Sequence, residues 1–182
     1  MPVGEGWDLP AEEQPWSDFH WFQIAVGESR LFCVLSDQPI WYTGHYYLGR
    51  MRPCCSEHCT ICAEGVGTQV RYCFPVVDLD TKHVGLLELG RGHGLDIRAA
   101  AEEGHGLKGL IMEARKTGKA SQSRTKLTFL HREPPDWINQ IDPPDCGLAL
   151  YLTWSKAGMA IPDPMQRAFE RRKQLRKEKS RA

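Results

Sequence analysis

The sequence predicts a mainly β fold, and three observations carry that expectation. Short groups of β-branched and aromatic residues alternate with polar ones, as at Val70, Tyr72, Phe74 and Val76. Seventeen glycines and twelve prolines cut the 182 residues into short pieces. Long apolar runs are few, and the 41% hydrophobic content allows one ordinary core.

Taken in order, residues 1–19 hold Glu5, Asp8, Glu12, Glu13 and Asp18 with no Lys or Arg, which predicts an acidic, extended arm. A domain over 20–155 follows. Phe22, Ile24 and Val26 alternate, Gly27-Glu28-Ser29 turns, and Leu31 to Leu35 resumes, which reads as a pair of strands. Residues 41–67 differ in kind: aromatic at the entrance, then dense in cysteine, they read as an inserted metal module. Val70 to Val76 and Val84 to Leu89 make a hairpin about an Asp80-Thr81-Lys82 turn. Leu95 to Glu103 favours a helix stopped by Gly104, with Gly90 to Gly94 as the turn leading in. Leu107 to Ala114 and Thr125 to His131 are two further strands. Two Pro-Pro pairs then make a stiff connector, and Leu148 to Trp154 reads as an extended apolar piece. Residues 156–182 form a basic tail, with a solvated helix expected over Met165 to Lys179. The order strand, insertion, strand, strand, helix, strand, strand is that of a five-stranded OB-fold barrel with an inserted zinc-binding module and a C-terminal basic helix.

Four of the seven cysteines fall within nine residues. Cys59 and Cys62 have the two-residue spacing at which two thiolates on a tight turn reach one metal ion. Cys54 and His45 complete a set of one imidazole and three thiolates, which favours Zn2+ over hard cations. Cys55 and His58 leave alternative ligands open, and four thiolates would also suit an iron-sulfur cluster. The HExxH and HxE…PCxxC patterns of hydrolytic zinc sites are absent, so the expected zinc is structural and the protein non-enzymatic. Cys33, Cys73 and Cys146 read as small core residues.

An OB-like pattern interrupted by a module with ligands in the order His, Cys and a CxxC pair resembles the phage T4-type single-stranded DNA-binding proteins. The resemblance covers residues 20 to 131 and places His45, Cys54, Cys59 and Cys62 on the four zinc positions, with shorter spacings. It implies a structural zinc, single-stranded DNA in preference to RNA, and a phage or mobile-element setting. The tail here is basic where that family's replicative members end in an acidic one.

The residues give their own support. Arg115, Lys116, Lys119, Arg124 and Lys126 occupy the segment joining the last two strands without an acidic neighbour, which suits phosphates. Tyr72 and Phe74, beside Arg71, share one strand face and read either as a stacking platform for bases or as core packing. The formal net charge of zero gives no bulk reason to expect nucleic acid or membrane. A protein partner for the acidic N-terminal arm and a zinc-stapled adaptor remain alternatives, as does a zinc-dependent nucleic-acid enzyme. With no signal segment and no apolar run long enough to span a bilayer, a cytoplasmic protein is expected.

Overall fold

Strand alternation decides which side chains are buried here, and on the central strands it buries both faces. The structure, a computed structural model, describes residues 19–55, 58–104, 106–119, 123–162, 165–167 and 169–171. Seven strands, β1 (Ser29–Val34), β2 (Ile40–Tyr47), β3 (Arg50–Pro53), β4 (Gln69–Asp78), β5 (Val84–Gly90), β6 (Ile111–Thr117) and β7 (Arg124–Leu130), form an open, antiparallel sheet. They are accompanied by the helices α1 (Thr60–Ala63), α2 (Arg91–Glu103) and α3 (Cys146–Lys156). The fold is therefore mainly β, as expected.

The described residues divide into two compact units, one from residues 20–40 and 72–144, the other from Phe19, 41–71 and those from Asp145 on. In the first, strand order is β5-β4-β1-β6-β7, with β1 antiparallel to β4 and β6, and β6 antiparallel to β7. One face of these strands carries Phe32, Val34, Phe74, Val76, Met112 and Ala114, closed by Ile97 of α2. The opposite face carries Cys33, Val77 and Ile111 under Ile138. Ile138 belongs to a 3-10 helix, Asp136–Gln140, that forms between the two Pro-Pro pairs of the connector.

Several boundaries differ from expectation. Phe22 and Ile24 are in the core, but their segment forms no strand of its own: it meets β5 in a single parallel bridge, Trp21 to Leu86, with Leu86 N–H donating to His20 O and Phe22 N–H donating to Leu86 O. α2 starts at Arg91, so Gly92 and Gly94 are helical. Gly94 sits there because the Tyr72 ring lies against it: a Cβ would fall 2.3 Å from Tyr72 Cδ2. β6 begins at Ile111, since Leu107 to Leu110 turns, with the Leu107 and Lys108 N–H groups donating to Asp37.

In the second unit β2 and β3 form a hairpin with Tyr47 opposite Arg50 and His45 opposite Arg52. The expected extended piece at Leu148 to Trp154 is instead α3, capped by the Asp145 side chain accepting from Leu148 N–H. Trp154 meets Tyr42 edge-to-face at 4.9 Å, and Tyr151 stacks on Phe169 at 3.9 Å. Residues 165–167 and 169–171 are helical, consistent with the start of the expected basic helix. The arm over 1–18 and the tail beyond Arg171 lie outside the described residues. Among the described residues no helix is long and apolar enough to cross a membrane.

Candidate metal centre

β2 delivers His45 into a fully buried position, and Cys54 follows directly after β3, where its N–H donates to Thr43 O at 2.8 Å. The CxxC pair is fixed by α1. Cys59 is its N-cap, its carbonyl accepts from Ala63 N–H, and the Cys62 carbonyl accepts from Gly65 N–H at a φ of +77°. That positive φ is one glycine tolerates at little cost, and it ends the turn beneath both thiols.

His45, Cys54, Cys59 and Cys62 place one donor atom each within 4.8 Å of all the others. His45 Nε2 is 3.4 Å from the sulfurs of both Cys59 and Cys62, and the Cys54 and Cys62 sulfurs are 3.5 Å apart. A tetrahedral ion with metal–sulfur bonds of about 2.3 Å and a metal–nitrogen bond of about 2.0 Å requires edges of about 3.5 to 3.8 Å. These three separations match that size within a few tenths of an ångström, and the remaining ones are no longer than 4.8 Å. Cys55 and His58 lie outside it.

The second ring nitrogen of His45 settles which face of the imidazole is available. Nδ1 lies 3.0 Å from Val66 O and 3.1 Å from Gly67 O, two acceptors, so Nδ1 carries the proton and Nε2 is left as the ligand. The thiols are pulled in opposite directions. Burial pushes Cys59 up, but N–H groups of Cys55, Cys62 and Ile61 outweigh it and bring it down to about 6. The hydrogen bond with Cys54 leads in pushing Cys62 up to about 12. Thiols this close resist ionising together, and a divalent cation removes the conflict by facing every thiolate with positive charge. Glu64, one of the two carboxylates of the module, accepts from the Tyr47 hydroxyl at 2.6 Å, which raises the Tyr47 pKa. Arg52 lies over the Tyr47 ring at 5.6 Å.

The candidate nucleic-acid residues separate. Phe74 is 1% exposed and lies in the core, so it offers no face to a base. Tyr72 packs against the same core, stacked on Phe74 at 6.2 Å, so the pair is core packing. Alternation shows that the two share a face; it does not show that this face points inward. Arg71, in the other unit, is partly buried and already engaged in an interaction. On the β6–β7 hairpin Arg115 pairs with Lys126 and Thr117 with Arg124, so Arg115, Arg124 and Lys126 share one exposed face. Lys116 pairs with Thr125 and falls on the opposite, core side, half-buried, whereas Lys119 is exposed beyond the strand end. Glu113, also on the basic face, is engaged by the Ser29 hydroxyl. A cleft of about 480 Å³ toward the other end of the hairpin is lined by Lys108 and Arg132 but also by Glu103 and Glu133, a mixture of sign that does not suit phosphate.

The aromatic cluster Trp41, Tyr42, Tyr46 and Tyr47 that flanks His45 in the sequence divides: Tyr42 is buried, whereas Trp41 at 63% and Tyr46 at 60% are exposed. Both lie near His45 on β2, where the flanking aromatics read equally as a groove or as packing for the module. Comparisons with protein-family models, with curated proteins and with solved structures return no match.

Proposed function

We propose that this is a non-enzymatic, zinc-stabilised protein that binds single-stranded nucleic acid through an OB-type sheet. The observation that carries the reading is the exposed basic face of the β6–β7 hairpin, on which Arg115, Arg124 and Lys126 stand side by side. Charges so placed neutralise successive phosphates and release counterions.

The topology supports it. In the first unit β1, β4 and β5 follow as consecutive strands and β6 returns beside β1, giving the spatial order 4-1-2-3 of a Greek key, with β7 added outside. An OB fold is a five-stranded, partly open Greek-key barrel, and its first and last inter-strand loops engage oligonucleotides. The metal module is inserted at the first such loop and the basic hairpin is the last. Zinc is the ion that three thiolates and one imidazole of this size suit best. With all four positions taken by protein, the site keeps no place for a reacting water, which favours a structural role and no turnover. The resemblance to the phage T4-type proteins points to DNA in preference to RNA.

Fluorescence anisotropy tests the reading on zinc-assayed protein with oligo-dT, duplex DNA and single-stranded RNA at low and high salt. Tight, salt-sensitive binding to single strands is expected. Replacing Arg115, Arg124 and Lys126 together by Ala should lower the log–log salt slope by about 2, at about 0.7 for each phosphate no longer neutralised. No binding to any strand by zinc-loaded protein would overturn the reading.

A further inference from the structure

We propose that the tip of the β2–β3 hairpin, Tyr46, Leu48 and Arg50, contacts the bases of an unpaired nucleic-acid strand. The proposal rests on the single-strand reading above and supplies what that reading lacks, since Tyr72 and Phe74 are core residues. Bases need an exposed aromatic face, and Tyr46 provides one.

The turn itself supports the assignment. Two residues join the strands, Leu48 at a φ of +50° and Gly49 at +79°, the mirror-image turn whose twist matches the flanking strands. Its first central position favours Asn, Asp or Gly, because a bulky side chain in the left-handed region is strained. Leu48 is nevertheless there, and at 76% exposed it gains little packing within the chain to offset the strain. Strain kept without an internal return marks a place where the side chain serves contact with something else.

Charge identifies the occupant. From Ile40 to Pro53 the hairpin holds Arg50 and Arg52 and no carboxylate of its own, with Arg50 exposed next to the tip and Glu64 already engaged by the hydroxyl of Tyr47 opposite it. An aromatic ring, an apolar wedge and a cation on the other face of the hairpin, opposite Tyr47, suit an unpaired strand, which offers both base faces and phosphates. A duplex hides its base faces, and a neutral lipid surface gives the arginines no partner. His45 on β2 and Cys54 just beyond β3 both belong to the candidate donor set, so a bound ion would clamp the two strands at the foot of the hairpin and hold the tip in place.

The test uses the full zinc-loaded chain, labelled oligo-dT of about 20 nucleotides, and an abasic oligomer with the same number of phosphates. Tyr46→Ala and Leu48→Asn should each weaken oligo-dT binding about tenfold, leave abasic binding and the salt slope unchanged, and leave the melting temperature of L48N equal or higher. Arg50→Ala should weaken both oligomers alike. Unchanged oligo-dT affinity in Y46A and L48N would overturn the assignment while leaving single-strand binding intact, as would equal wild-type affinity for oligo-dT and the abasic chain. Loss of binding to neutral lipid vesicles in these variants, with oligo-dT affinity kept, would also overturn it in favour of a membrane contact. Failure of the wild-type protein to bind any single strand would overturn both proposals together.

Discussion

Each cysteine has a chemistry set by its position, and alkylation reads it. Cys33 is fully buried and its thiol is pushed up to about 11 by that burial; Cys73 and Cys146 are buried too. These three should react with iodoacetamide only on unfolding, because the reagent needs an accessible thiolate. Cys54, Cys59 and Cys62 should be protected while metal is bound and react after chelation, whereas Cys55, outside the donor set, should react in both states. Mass spectrometry of the labelled peptides distinguishes them, and a Cys55 protected in step with Cys59 would redraw the ligand set. The candidate metal site is legible in the sequence because a CxxC pair is local: its spacing nearly dictates its geometry. The choice among six candidate ligands is not, because it depends on where β2 carries His45 and on which carbonyls fix its ring. The dual reading of Phe74 has a similar cause. Period-2 alternation assigns side chains to faces, and only tertiary packing decides which face meets water.

At the scale of elements, the strands are legible where one face is apolar and the other polar, and the helices where Ala, Leu and Glu recur without β-branching. α3 reads as extended because Leu148 to Trp154 is apolar almost throughout, and such a run does not by itself distinguish a buried strand from a buried helix. Its signal lies at the ends, in the Asp145 cap after Pro143-Pro144 and in Lys156 in the last turn. α2 reads too short for the opposite reason: Gly92 and Gly94 weaken a helix, and what admits them is not written locally. The two glycines should respond oppositely to Ala. At Gly92 a Cβ would meet nothing within 4 Å, so Gly92→Ala should stabilise the protein by up to about 1 kcal/mol through helix propensity alone. At Gly94 the same Cβ would strike the Tyr72 ring, which is held in place by Phe74 and the core. Gly94→Ala should therefore destabilise by about 1 to 2 kcal/mol, overpacking exceeding the propensity gain. Urea unfolding of both variants measures the pair, and equal effects would mean that Tyr72 swings aside at no cost.

At the scale of the molecule, the two units interleave along the chain: the segment 41–71 interrupts one unit and groups with residues after 145 to form the other. Composition carries no hint of this, since linkers and core segments alternate too closely for a boundary to show. The division has a consequence for what the metal holds. All four ligands lie between His45 and Cys62, and none belongs to either core cluster of the unit built on β1, β5, β6 and β7. Within the metal's own unit, the described apolar contacts beyond the hairpin centre on Tyr42, Trp154, Leu148 and Phe169, while α1 has no buried residue. A four-residue helix without a core is far too short to persist alone, so an ion bound at the four donors would supply its fixation. Chelation followed by hydrogen exchange should therefore raise exchange at least about tenfold across residues 41–67, most in α1 and the β2–β3 turn, and leave the amides of β1, β6 and β7 protected. Equal loss of protection in β6 and β7 would show that the ion holds the whole sheet together, and the module would then be a folding nucleus for the protein instead of a locally stapled insertion.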